Sequence, residues 1–428
     1  MADASFLSTV ETARRLGVTP ETVYAYVSRG LLTSVRHPGH RGSAFAADEV
    51  AGLAARGRAG RSPRGALERI RTAVTAIEDD RLFYRGRPVA ALVRTGYESV
   101  AELLWLGRPG PRVWEPPGAT AVAAVTAAVG SLPVTARPAD RLRAGVTALA
   151  ALDPARSDGR PGAVVVAART TITALAAAVA DAPGRIEGGT AEAAHAPGDG
   201  TAGARGGAGT VAGLLWRGLA PRPADREASD VAVLDAALVL LADHGLAAST
   251  VAARVAASVR ADVYGVVSAG LGAADGPLHA AAPERAGRLL DDVLATDPAA
   301  VLGPYLRSDA TAPPGFGHAV YRRADPRAEL LLDLLPDGPA RAAADAMGAW
   351  LAAREDLFPT VDLALAALAR TYDLRPGAAE LVFQLARIAG WVAHALEEYA
   401  EPGVRFRAVG DYTGELPGTP PDSPVVRP

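Results

Sequence analysis

The chain has 428 residues, 49% of them hydrophobic, enough for a large core and more than one domain; all 44 of its basic residues are arginine. A net charge of −3 excludes a nucleic-acid footprint spread over the whole chain but leaves a local one open, and the absence of cysteine excludes disulfides, thiolate ligands and a cysteine nucleophile. The first residues lack the basic-then-apolar order of a signal peptide and the apolar runs read as too short or interrupted to cross a bilayer, so a soluble cytoplasmic protein without a membrane partner is expected.

In chain order, "STVETARRLGV" places Ser8 as an N-cap with Glu11 three residues on, a capping box, and Val10, Ala13 and Leu16 keep helical apolar spacing. Thr19 caps a second helix with Pro20 at its first position, ending near Gly30. Two short helices joined by a tight turn make a helix-turn-helix unit. "LLTSVR", "HPGHRG" and "SAF" then form a small hairpin carrying Arg36, His37, His40 and Arg41, and a third helix starts near Ala47. Residues 1–64 hold nine arginines against five acidic residues, so this segment is locally positive. Residues 1–58 are expected to be one domain and 59–64 a linker.

Helical periodicity dominates afterwards, over 97–107, 139–152, 168–181, 228–245, 249–273, 283–295, 327–336 and 377–400. Residues 76–86 suggest a strand pair. The Gly/Ala-rich stretch 186–210 reads as a mobile loop, and its His195 has no assigned task.

Four places carry chemistry. His244 closes an apolar helix, where a histidine caps more often than it binds. In "GPLH", Gly276 and Pro277 force a turn that can hold His279 in one orientation. In "GFGHAVYRRADPR", Gly315 and Gly317 permit close backbone approach to a ligand. His318 follows, with Arg322, Arg323 and Arg327 suited to a carboxylate or phosphate; a solvated basic turn is the alternative. Asp362 lies in apolar surroundings where burial raises a carboxylate pKa and makes a better base. Arg387 is a charge on an apolar helix, implying a buried anion. His394 fits a core histidine equally well and receives no role.

The series "ADHGLAAST…GPLH…PPGFGHAVYRRADPR…FPTVD…ARIAGWVAH…YTG", with "RLFYRGRPVAALVRTGYESVAELLWLG" before it, resembles citrate synthase, in the broad family that includes 2-methylcitrate synthase, over about 65–415. Residues 1–58 resemble the winged helix-turn-helix of the MerR and excisionase type. The resemblance implies a mainly α fold: a large domain of 65–279 and 376–428 and a small domain of 280–375 that closes over it, working as a homodimer. It implies Asp362 as the base that deprotonates acetyl-CoA, His279 as the stabiliser of the enolate, and His318 as the group that polarises the oxaloacetate carbonyl. His244, Arg327 and Arg387 would hold the oxaloacetate carboxylates, with Arg407 supplied by the partner subunit, or Arg405 if the register slips. Pro314, Gly315, Gly317 and Arg322 would contact coenzyme A. No metal or tightly bound cofactor is implied. In the N-terminal unit, Thr22, Tyr24, Ala25 and Arg29 would face the major groove of double-stranded DNA, and Arg36 and Arg41 would touch phosphate.

Besides the Gly-rich 186–210 segment, which lies where the family has ordered helix and loop, the sequence departs from the family in three places. "AAAP" (280–283) replaces the usual "GGAN", Thr360 replaces an asparagine, and Leu363 and Ala364 replace an aromatic pair. The last change suggests room for a larger acyl group. The expected function is citrate synthase. The alternatives are a 2-methylcitrate synthase or related condensing enzyme using propionyl-CoA or another acyl-CoA, and a DNA-binding regulator that senses oxaloacetate or acyl-CoA.

Overall fold

A computed structural model describes residues 6–16, 18–28, 32–36, 42–51, 70–181, 209–221, 227–306, 312–353 and 357–406. Residues 1–70 with 406–428 form one compact unit and residues 71–405 another.

In the first unit the expected capping box is present. The backbone N–H of Ser8 donates to Glu11 Oε2 (2.8 Å) and the N–H of Glu11 donates to Ser8 Oγ (3.3 Å), an arrangement worth about 1 kcal/mol. Strand β1 (Phe6–Ser8) leads into α1 (Thr9–Leu16) and α2 (Pro20–Ser28). Strands β2 (Val35–Arg36) and β3 (Ser43–Ala46) follow, then a helix α3 described over 47–51. The sheet order is β1-β3-β2, all antiparallel, with Phe6 opposite Ala46 and Val35 opposite Ala44. Ala13, Val23, Leu32, Phe45 and Val50 make a separate small core. Strand β1 was not foreseen. His37, His40, Arg29, Arg41 and the expected linker 59–64 lie outside the described residues, as do His195 and most of 186–210.

The second unit opens with the expected strand pair, β4 (Thr75–Glu78) and β5 (Arg81–Tyr84), followed by β6 (Arg87–Pro88). Asp79 and Asp80 have φ of 49° and 59°, the left-handed pair that a two-residue hairpin turn requires. The helices are α4 (Val89–Leu92), α5 (Tyr97–Leu106), α6 (Ala119–Gly130), α7 (Pro138–Leu152), α8 (Pro161–Asp181), α9 (Val211–Leu219) and α10 (Glu227–Leu241). They continue as α11 (Ala248–Ser258), α12 (Val263–Ala274), α13 (Ala282–Ala295), α14 (Pro298–Leu306), α15 (Pro326–Leu334), α16 (Pro339–Ala352), α17 (Val361–Thr371) and α18 (Ala378–Tyr399).

Two expectations need correction. The single helix over 249–273 is two helices: Arg260 takes a left-handed φ of 62° and Asp262 restarts the helix by accepting from Gly265 N–H (2.8 Å). Arg260 is held there by donating to the carbonyls of Glu398 (3.1 Å) and Tyr399 (3.0 Å). The apolar run at α8 is also longer than the sequence reading allowed. Pro161–Ala180 is long and apolar enough to cross a membrane by length and composition, yet Ala168, Ile172 and Leu175 are sunk in the main core.

Helix α18 is the centre of this unit and packs on α5, α7, α8, α10, α11 and α12. Small residues allow the close approach. A Cβ at Gly270 would enter the Trp391 ring, and one at Gly390 would overlap Asp243 and the Ala242 carbonyl. Helices α13, α15 and α16 gather around α17.

Candidate active site

A cavity of about 550 Å³ lies among these helices, and six of the residues singled out from the sequence line it: His244, His279, His318, Arg327, Asp362 and Arg387. Each is delivered by a local feature. His244 follows the end of α10, just before Gly245 with its φ of 62°. His279 sits in the turn closed by its own N–H to the Gly276 carbonyl (2.9 Å). Arg327 opens α15, Asp362 opens α17, and Arg387 projects from the middle of α18.

The glycines of "GFGH" serve the backbone. Gly315 and Gly317 have φ of 86° and 71°, and a Cβ at Gly315 would press on Leu363 (3.0 Å) and Ala286 (3.1 Å). Between them Phe316 pairs with Pro359, while Thr360 N–H donates to the Gly315 carbonyl (2.8 Å) and Gly317 N–H to the Phe358 carbonyl (3.0 Å). That short ladder holds the loop of His318 against the start of the Asp362 helix.

The three histidines of the cavity are all held towards the neutral form. Burial pushes His279 down to about 4, with help from the charge of Arg387. Burial, then Arg327 and Arg387, holds His244 well below the usual histidine range, and burial with Arg327 also lowers His318. His318 Nδ1 accepts from the backbone N–H of Val320 (3.0 Å) and Tyr321 (3.4 Å). Its proton therefore lies on Nε2, which is left to donate. His279 Nε2 meets Ser249 Oγ at 2.8 Å.

The carboxylate of Asp362 is partly accessible, on the cavity wall. Burial pushes it up to about 6, against the pull of Arg327 in the other direction. Its contact with Thr360 Oγ1 is long, 3.4 Å. Arg387 Nε donates to the Leu241 carbonyl (2.7 Å), while its Nη2 is buried with no hydrogen-bond partner among the described residues. A buried guanidinium N–H without an acceptor costs free energy that an anion in the cavity would recover.

Several residues of the site had not been singled out. Tyr321, buried, puts its hydroxyl 2.9 Å from His244 Nε2 and lies under the Arg327 guanidinium. Phe383 stands edge-on to His279 and beneath Arg387, 4.8 Å from its ring centroid. Asp325 is a junction. It caps α15, binds Arg327 through both oxygens (2.9 and 2.8 Å) and accepts from Val361 N–H (3.0 Å), next to Asp362. Asp80, on the β4–β5 turn, accepts from the N–H groups of Arg322 (2.7 Å) and Arg323 (3.0 Å). "ADPR" was readable as an N-cap followed by proline at the first helical position; Tyr321 and Phe383 offered no signal.

Other expected residues stand apart. Pro314, Gly315, Gly317 and Arg322 do not line the cavity, and Arg322 is exposed. Arg407 lies outside the described residues. Arg405 is not a free alternative for it, because its guanidinium grips Glu398 (2.5 and 2.6 Å). Leu363 and Ala364 do not line the cavity either: both face the core of α17, so they do not enlarge it. The "AAAP" departure is accommodated. Ala281 has an ordinary φ of −83°, and Pro283 falls in the first turn of α13, where a backbone donor has no intrahelical partner to lose. Among the described residues no group of three or more His, Asp or Glu could hold a metal ion.

Residues 66–407 match the family described as citrate synthase, C-terminal domain. The chain belongs to the citrate synthase family. Within that family, the citrate synthase of Haloferax volcanii is 36% identical over 201 residues, 44% of this chain and 52% of that protein. Citrate synthase 2 of Bacillus subtilis is 31% identical over 195 residues (43% and 51%), and 2-methylcitrate synthase 2 of Corynebacterium glutamicum 30% over 212 (46% and 53%). The chain thus spans about half the length of the curated relatives it matches. Two solved citrate synthases share the fold. That of Thermoplasma acidophilum, a ternary complex with carboxymethyl coenzyme A and oxaloacetate, superposes with a TM-score of 0.65 at 21% identity, covering 83% of this chain and 96% of that one. That of Thermotoga maritima gives 0.62 at 23% identity, covering 81% and 94%.

Proposed function

We propose that the protein condenses an acyl-CoA with oxaloacetate, acetyl-CoA giving citrate after hydrolysis of citryl-CoA. The observation that carries this reading is the convergence of Asp362, two neutral imidazoles and two buried arginines on one cavity. A thioester α-proton is weakly acidic, so a base must work together with a group that stabilises the enolate where its charge develops. Asp362 takes the proton. His279 donates to the thioester oxygen, with Ser249 fixing its other nitrogen. His318 Nε2–H donates to the carbonyl oxygen of oxaloacetate as the carbon–carbon bond forms. Arg327, Arg387 and His244 bind the carboxylates, the orphaned Nη2 of Arg387 gaining its acceptor. The Pro314–Gly317 backbone and Arg322 bind coenzyme A at the rim, Arg407 completes the site of a partner subunit, and the part built around α17 (280–375) closes over the rest.

Propionyl-CoA is the alternative donor, in keeping with the methylcitrate synthase among the relatives. Purified protein with oxaloacetate and either thioester decides the matter by release of free thiol. Release with propionyl-CoA alone would move the assignment to methylcitrate, and no release with either would sink the condensing reading.

We further propose that the N-terminal unit binds double-stranded DNA. Two short helices beside an antiparallel three-stranded sheet favour it, with Thr22, Tyr24 and Ala25 on α2 and Arg36 exposed on β2. Arg29 and Arg41 belong to the same proposal.

A further inference from the structure

A run of buried charges crosses the second unit without a part in the chemistry above. Arg405 donates to both oxygens of Glu398 (2.5 and 2.6 Å), and Glu398 Oε2 also accepts from Arg254 Nε (3.2 Å). Arg254 Nη1 lies 2.8 Å from His394 Nδ1 and also donates to Glu397 (2.9 Å). A guanidinium has donors only, so His394 Nδ1 is the acceptor and its ring proton lies on Nε2. That N–H faces Asp243 Oδ2 at 3.3 Å, and the same oxygen accepts the N–H of Gly245 (2.9 Å). Asp243 and Gly245 flank His244. Each bond has one allowed donor: Arg405 and Arg254 both donate to Glu398, Arg254 donates to His394, and His394 and the Gly245 N–H both donate to Asp243, in the turn that presents His244.

Arg254, Asp243, His394 and Glu398 are each at most 1% exposed. Apolar residues of similar volume would avoid their desolvation, so stability alone is a poor reason for four such groups in line. Gly390 leaves the space that Asp243 occupies, which ties the series to the packing of α18 as well.

We propose that Asp243, His394, Arg254 and Glu398 are positioning residues, a contiguous hydrogen-bond relay that couples the placement of Arg405 to the aim of His244 into the cavity. The inference rests on the reading that His244 holds oxaloacetate. Without Arg405, Glu398 keeps a single cation. Arg254 is drawn towards it and away from His394, the imidazole loses its anchor, and Asp243 loses a donor beside the Gly245 turn.

The test uses full-length protein labelled with 15N-histidine, wild type against Arg405→Ala and His394→Gln. Arg405 is 22% exposed, so its loss spares the core even if His394→Gln fails to fold. The readouts are the ring resonances of His394 and His244 and the calorimetric Kd for oxaloacetate and for acetyl-CoA. The relay predicts a His394 protonated on Nε2, a displaced His244 resonance in Arg405→Ala, and oxaloacetate binding weakened about tenfold, one pK unit in Kd. Acetyl-CoA binding stays unchanged, and Arg405→Lys recovers part of the loss. A His394 protonated on Nδ1 overturns the proposal, as does an unmoved His244 resonance or an equal loss of acetyl-CoA affinity. If the wild type binds no oxaloacetate, the condensing reading falls instead, and the His244 resonance still decides the relay.

Discussion

At the scale of the residue, the working state of the site follows from burial. Asp362 is pushed up to about 6 while His279 is pushed down to about 4, so between those values and neutrality one group changes charge and the other does not. A base works only when deprotonated. Turnover should therefore rise with pH through about 6 and level off above it, which a pH profile of kcat in saturating substrate would check. Asp362→Ala should remove turnover by a factor of about 10²–10⁴ and leave oxaloacetate Kd within a small factor, since the proposal assigns the carboxylates to Arg327, Arg387 and His244. Equal turnover in that variant would show that the base is another group.

At the scale of the element, the site depends on helix starts and close crossings. Asp325 joins the first turn of α15 to the first turn of α17, and it neutralises a fully buried arginine. Asp325→Ala leaves Arg327 uncompensated and should cost about 3–5 kcal/mol in denaturant unfolding, with weaker oxaloacetate binding. Asp325→Asn, which still caps α15, should lose less. Gly390→Ala places a methyl where Asp243 and the Ala242 carbonyl already stand. It should lower stability by about 1–3 kcal/mol through overpacking, seen as a reduced Tm.

At the scale of the whole molecule, two units with separate cores carry separate proposals. A locally basic N-terminal segment on a chain of net charge −3 makes any DNA affinity depend on few phosphate contacts. Arg36→Ala should weaken binding to duplex DNA across sequences and reduce the salt slope of log K by about one, measured by titration at several ionic strengths. A shift that ignores Arg36 and Arg29 would place the contact face elsewhere.

What the sequence determined by itself was local or carried by order. The Ser8–Glu11 box, the β4–β5 turn and the helix starts at Pro20, Pro138 and Pro326 are written in neighbouring residues, since caps and turns are satisfied within a few positions. The ordered series of histidines, arginines and Asp362 marks six residues of the cavity wall. Only the tertiary structure decided what crosses between elements. It split 249–273 at Arg260 because two carbonyls of α18 hold that side chain. It turned Leu363 and Ala364 inward, away from the cavity. It found Tyr321, Phe383 and Asp325 at the centre, and it set the buried His394 in line between Arg254 and Asp243. Those roles depend on which face of a helix is buried or on partners far along the chain, 36 residues for Asp325 and Val361, 77 for Tyr321 and His244 and 151 for His394 and Asp243, and neither is visible in a run of adjacent letters.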